Sequence, residues 1–244
     1  MNFNEEKMGT EYIYSEFSIT DPNYIENNAK YQFYSDSKAR YRGSSTRDLA
    51  KKSYRVKLEN TVDFGFLGMN CSKTWILDPL ATDSSNLRTK IASDLWGNMN
   101  KDLEKEKYAE LNSKYVEVYV NGKYKGLYLL KEVIDENLLK LNKESGVLIK
   151  GINWNLVNFK EIDNINEVAY GPFELKYPEN QKKYSKSWEN ILKKLKQYYD
   201  GDISYKSINE TFYIENLINY KIFLFILSAN DNYEFKNIYY SIKD

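Results

Sequence analysis

The chain has 244 residues, 42% of them hydrophobic, with 35 basic and 35 acidic side chains and a formal net charge of zero. That is enough apolar material for one large or two small cores, and the lack of a basic excess argues against a general nucleic-acid or membrane-surface protein. The absence of histidine excludes histidine triads, histidine metal sites and histidine general bases, and a single cysteine, Cys71, excludes a disulfide framework or a cysteine zinc cluster. Without a histidine to activate it, Cys71 reads as structural.

In chain order, the amino-terminal MNFNEEKMGTEY is polar and acidic and does not read as a signal peptide. The stretch from Tyr31 to Asn60 reads as two strands around a turn: Tyr54, Val56 and Leu58 alternate with Ser53, Arg55 and Lys57, the period of a half-buried strand. WILDPLATDSSNLRTKIASDLWGNM predicts a strand and turn, then a helix with Asp83 at its N-cap and Leu87, Ile91, Leu95 and Met99 along an apolar face. KYVEVYVNGKYKGLYLLKE predicts a hairpin closed by Asn121-Gly122, with Gly126 marking a bulge. A helix is expected to start near Asp135, and residues 150 to 184 read as irregular. An amphipathic helix follows, with Trp188, Ile191, Leu192, Leu195 and Tyr199 on its apolar side. A longer buried helix around Ile214 to Ala229 comes next, too short and too charged to span a bilayer. Strands first and helices later make an α+β pattern.

Three stretches could carry chemistry. Arg42, Arg47, Lys51, Lys52, Arg55 and Lys57 surround the small-residue turn Gly43-Ser44-Ser45-Thr46, where backbone N–H groups and cations could receive a phosphate. On pattern alone an ordinary hairpin with a solvated basic face is the commoner reading. Lys57 ends a Tyr-Arg-Val-Lys strand, comparable with the kinase strand whose lysine pairs with nucleotide phosphates. Asp231 and Asn237 stand between the second long helix and an aromatic strand; a carboxylate and an amide so placed suit proton acceptance and a hard cation. On the loop alone, a polar turn with Asp231 closing the helix is the commoner reading of the same pair. If the strand from Leu127 to Lys131 joins two halves, its backbone could bond an adenine edge, with Glu132 at the junction.

Taken together and in order, RGSSTRDLAKKSYRVKL, WILDPLATDSSNLRTKIASDLW, YVEVYVNGKYKGLYLLKEVID, GVLIKG and NDNYEFKNIYY resemble the CotH family of spore-coat kinase-like proteins. The resemblance runs from about residue 40 to the end. It implies an atypical protein-kinase-like, two-lobed α+β fold: residues 1–132 as a sheet-rich N-lobe with one helix, and 133–244 as a partial, mainly helical C-lobe. It implies an enzyme that binds ATP with Mg²⁺ or Mn²⁺ and phosphorylates serines of spore-coat proteins, at the spore coat or cell surface of a spore-forming bacterium. No nucleic-acid partner and no membrane span are expected. By the same resemblance Asp231 matches the catalytic aspartate and Asn237 a metal-binding amide. Lys52, Arg55 and Lys57 face the phosphates, with Lys57 first among them, and Glu132 lies at the nucleotide-binding hinge. Family members continue to a Trp-Asp-x-Asp-like segment supplying a second metal aspartate, whereas this chain stops at SIKD. A fragment with an incomplete second lobe, inactive by itself, is therefore the expectation. The competing expectation is a non-catalytic coat or surface interaction protein that retains the fold.

Overall fold

A computed structural model describes residues 1–244 except 27–28, 44, 63, 65–66, 102–108, 153–172, 179–185, 230–235 and 244. The chain forms two compact units. The first comprises Met1–Asn100 and Glu110–Val133, the second Lys101–Ala109 and Ile134–Asp244. Both sheets and helices are present, in the α+β class that the sequence pattern implies.

Unit 1 is built on seven antiparallel strands: β1 (Asn2–Phe3), β2 (Ile13–Glu26), β3 (Ala29–Arg42), β4 (Ser53–Val62), β5 (Ser72–Asp78), β6 (Ser113–Val120) and β7 (Lys123–Lys131). They lie in the order β1-β2-β3-β4-β5-β7-β6. Alternation decides what each face meets. Tyr54, Val56 and Leu58 of β4 are buried with Phe17, Ala39, Trp75, Leu77, Tyr128 and Leu130 in one cluster, while Lys57 is exposed. The sheet curls until its ends meet. The Met1 ammonium donates to the Tyr119 carbonyl at 2.9 Å, and the Phe3 N–H donates to Asn121 Oδ1 at 3.0 Å. β1 and β2 fall in the segment that the strand reading left unassigned, although Ile13, Ser15, Phe17 and Ile19 alternate there. The β6–β7 hairpin turns at Asn121 (φ 49°) and Gly122 (φ 74°), the two left-handed positions of a type I′ turn. Gly126 (φ 98°) sits where the register shifts, as expected of a bulge.

Two local expectations change. Helix α1 is Arg88–Met99, beginning five residues after Asp83. Asp83 Oδ1 accepts from the Ser85 N–H and Oγ, and its Oδ2 accepts from the Arg88 N–H at 2.7 Å. It therefore organises the turn leading into the helix and reaches the first helical amide from outside. The stripe predicted to face the core does not: Leu87, Ile91 and Met99 are exposed, and the buried position is Gly97. A Cβ at Gly97 would lie 2.7 Å from Glu110 Oε1, so this side of the helix meets the Glu110 side chain closely. The helix expected near Asp135 is instead a run of turns. Asp135 Oδ1 accepts from the Asn137 and Leu138 N–H groups, and Lys140 (φ 52°) reverses the chain.

Unit 2 holds a small sheet, β10-β8-β9, from β8 (Val147–Gly151), β9 (Phe173–Tyr177) and β10 (Tyr239–Ile242). Its helices are α2 (Lys186–Asp200), α3 (Tyr205–Asn209) and α4 (Ile214–Ile226). Trp188 and Leu192 bring α2 onto Val147, Ile149 and Phe173. Tyr199, predicted on the apolar side, is exposed. The prediction of a buried α4 also fails. Phe223 and Leu224 are buried, but Ile218, Ile222, Phe225 and Ile226 are exposed. No helix among the described residues is long and apolar enough to cross a membrane.

Candidate functional site

Odd-numbered positions of β4 point away from the apolar cluster, and this outer face gathers cations. Arg55 lies opposite Arg40 of β3 and Ile76 of β5, and Lys57 lies opposite Lys38 and Thr74. Ile76 in turn lies opposite Lys131 of β7, so one row crosses four strands: Arg40, Arg55, Ile76, Lys131. The side chains of Lys38, Arg55 and Lys57 make no hydrogen bond or ion pair, and the Arg55 Nε is a buried donor without a partner. A buried donor left unmade costs about 1–3 kcal/mol, and an acceptor reaching Arg55 would recover part of it.

Lys52 stands apart from Arg55 and Lys57. It directly precedes β4, and its contacts lie on the Tyr41 side. Its Nζ donates to the Arg47 carbonyl at 2.6 Å and lies 5.8 Å from the Tyr41 ring centroid. Lys51 is likewise spent on the fold. Its Nζ donates to the Pro79 and Leu127 carbonyls at 2.8 and 2.5 Å and sits 4.6 Å from the Tyr128 ring centroid. Burial lowers its pKa, with Asp78 opposing the shift.

Glu132, 4% exposed, ends unit 1 next to Val133. Its carboxylate accepts from the backbone and side-chain N–H groups of Asn70, and from the Asn112 N–H at 2.8 Å. Those bonds occupy the side chain, which pins the start of β5 and the start of β6 to the exit of β7. The main chain there is engaged as well, the Glu132 N–H donating to the Asn112 carbonyl at 3.3 Å.

The outer face holds a second charged feature that the sequence did not signal. Lys131 Nζ and Asp78 Oδ2 are 2.6 Å apart. Burial pushes the Asp78 carboxyl up, but Lys131, the Leu80 N–H and Arg42 outweigh it and hold its pKa below the ordinary carboxylate value. A hollow of about 620 Å³ opens elsewhere on unit 1, beside Asn2, Ile13, Tyr14 and Glu16, and holds none of the candidate residues.

In unit 2, Asn237 is exposed with φ 65°, its backbone N–H bonded to the Gly151 carbonyl at 2.9 Å. That bond and the reciprocal one from the Gly151 N–H to the Ile238 carbonyl fix Asn237 at the mouth of β10. Asp231 lies outside the described residues. Cys71, read as structural, is exposed.

These placements can be set beside known proteins. The family model described as CotH kinase protein matches residues 39–244. This chain belongs to the CotH kinase family. No curated protein was found to match it. The matched region of this CotH-type protein takes in β4, the Glu132 junction, and the Asp231 and Asn237 segment, and it begins at Ala39, one residue before Arg40. Arg40 and Lys38 were missed among the sequence candidates, yet their alternation with Ala39 and Tyr41 marked the same face.

Proposed function

We propose that this CotH-type protein is an ATP-dependent serine kinase acting on spore-coat proteins, at the spore coat or cell surface. The observation that supports it most is the unpartnered pair Arg55 and Lys57 on one face of the sheet, in a chain belonging to a kinase family. These cations fit the phosphates of ATP: one has a buried donor lacking an acceptor, and both are free to form charge-assisted bonds. The segment at Glu132 is read as the hinge that lies along the base. Lys52, bound to Arg47 and Tyr41, is left to support the loop after Gly43.

A divalent ion, Mg²⁺ or Mn²⁺, neutralises charge on the β- and γ-phosphates when bound. Asn237 offers one neutral oxygen toward it, and no group of three or more His, Cys, Asp or Glu side chains stands together among the described residues. The described residues do not by themselves fit a complete metal site. The protein's own part in the transfer is positional and electrostatic. The Asp231 carboxylate takes the serine hydroxyl proton as the oxygen–γ-phosphorus bond forms and the bond to the β-phosphate oxygen breaks, with ADP leaving. Arg55 and Lys57 hold the phosphate chain in line.

The test is transfer from labelled ATP to spore-coat extract, with Mg²⁺ or Mn²⁺, by wild type and Asp231→Asn. Loss of a general base lowers transfer about 10²–10⁴-fold. Equal labelling by both would remove Asp231 from the mechanism.

A further inference from the structure

Strand β3 sets a cation opposite each free cation of β4: Arg40 faces Arg55, and Lys38 faces Lys57. Side chains directly opposite in an antiparallel pair have Cβ atoms about 4.5–5.5 Å apart, and like charges there are destabilising. Two such pairs in succession need compensation. Acids supply part of it at the ends. By strand alternation Asp36 and Glu59 share the face beyond Lys38 and Lys57. At the other end Arg42 acts on Asp78, which is already paired with Lys131. No described carboxylate pairs with Arg55, whose Nε is buried and unmatched. Arg40 is held in place by neutral groups: its Nη1 donates to the Thr10 carbonyl at 3.3 Å, and its guanidinium lies 5.1 Å from the Tyr12 ring centroid. Both contacts orient the fork and leave its charge uncompensated.

We infer that Arg40 and Arg55 form a two-strand clamp for the polyphosphate chain of a nucleotide, with Lys38 and Lys57 as its second rung. The inference rests on the nucleotide reading above and goes beyond it by adding Arg40 and Lys38 as ligands. Neighbouring strands are about 4.8 Å apart and alternate residues along a strand about 6.8 Å. The four cations therefore mark a rectangle of about 5 by 7 Å, which a run of phosphoryl groups spans and a single phosphate does not. Guanidinium forks suit paired phosphoryl oxygens. The repulsion that burdens the empty sheet is relieved when the anion arrives, so binding and stability are coupled.

The test uses the whole chain at low salt, with calorimetric titration and thermal unfolding in sodium tripolyphosphate, ATP or adenosine. Wild type is compared with Arg40→Met, Arg55→Met, the double variant, and Lys123→Met on the hairpin turn as control. Tripolyphosphate and ATP should bind and raise the unfolding midpoint, and adenosine should bind far more weakly. Each single arginine variant should lose about tenfold in affinity for both polyphosphates. The double variant should lose less than the product of the singles, and Lys123→Met nothing. Without ligand, Arg55→Met should be no less stable than wild type, because it removes a repulsion and an unmatched donor. If Arg40→Met fails to fold, Arg40→Lys keeps the charge without the fork and should still lose several-fold; unchanged affinity there overturns the clamp. Polyphosphate binding weakened by Arg55→Met but not by Arg40→Met overturns the clamp and leaves the nucleotide reading standing. So does adenosine binding as tightly as ATP. Binding of neither ATP nor tripolyphosphate, or binding indifferent to both arginines, overturns both.

Discussion

Unit 1 and unit 2 use similar amounts of chain in different ways. Unit 1 turns one face of a seven-stranded sheet inward and fills it with Phe17, Phe64, Trp75, Tyr128 and their neighbours, while Lys38, Arg40, Arg55 and Lys57 share the other face of β3 and β4. Unit 2 spreads its apolar residues over two small clusters, one around Trp188 and one around Leu148, and leaves much of α4 outside both. A sheet with one filled face can keep cations fixed in a ladder on its other face. In unit 2, Asn237 is held at the start of β10 by the backbone bonds that it and Ile238 make with Gly151. The ladder on β3 and β4 and the turn at Asn237 thus draw on different reserves of stability.

The largest test of that difference is to remove one tryptophan from each core. Trp75 is fully buried with its ring centroid 4.6 Å from that of Phe64, and Trp188 is 5% exposed, 5.1 Å from Phe173. Either change to alanine should cost about 3–5 kcal/mol by lost burial and cavity formation. Hydrogen exchange should show Trp75→Ala loosening the β3–β5 amides and Trp188→Ala loosening β8 and α2. Loss of protection across both units from either change would mean that they unfold as one, and the contrast drawn here would fall.

Much of unit 1 was legible because its residues obey a period of two. Tyr54, Val56 and Leu58 read as the buried row and were; Asn121-Gly122 read as a type I′ turn and is. The same period could have added Lys38 and Arg40 to the cations counted around the loop. What stayed hidden is long-range. Nothing near Glu132 in sequence foretells that Asn70 and Asn112 close around its carboxylate, or that Lys131 meets Asp78. The α1 stripe misled because regular spacing of Leu87, Ile91 and Met99 says that a helix has an apolar face, but not that the sheet will take it. At α1 the buried position is Gly97, against the Glu110 side chain.

A smaller effect should follow from opening the Glu132 clamp. Glu132→Ala strands the Asn70 and Asn112 N–H groups in a buried place, an expected loss of about 3 kcal/mol. Glu132→Gln keeps one acceptor oxygen and should lose about half of that. If Glu132 acts on nucleotide only by holding the junction, affinity for ATP should fall with Glu132→Ala and recover with Glu132→Gln. Equal, large losses of ATP affinity in two folded variants would instead place the carboxylate itself against the ligand.

The smallest effect expected is a pH dependence within unit 1. The folded Asp78 carboxyl is held below its ordinary value by Lys131, the Leu80 N–H and Arg42, against the upward push of burial. A carboxyl depressed on folding contributes stability that is full above its unfolded pKa, about 3.9, and is lost as pH falls through the folded value. Asp78→Asn keeps an acceptor for the Leu80 N–H, which sits at 3.0 Å from Oδ1, but drops the charge that meets Lys131. Wild type should therefore be more stable than Asp78→Asn at about pH 7, and the gap should close as the pH falls below the ordinary carboxylate range. The pair is each about one-fifth exposed, so salt should shrink the gap at neutral pH as well. Chemical denaturation of both proteins across that range measures it. A gap that stays constant from neutral to acid pH would show that the ion pair adds nothing beyond the hydrogen bond. The ordered outer face of the sheet would then owe its shape to β-strand packing alone.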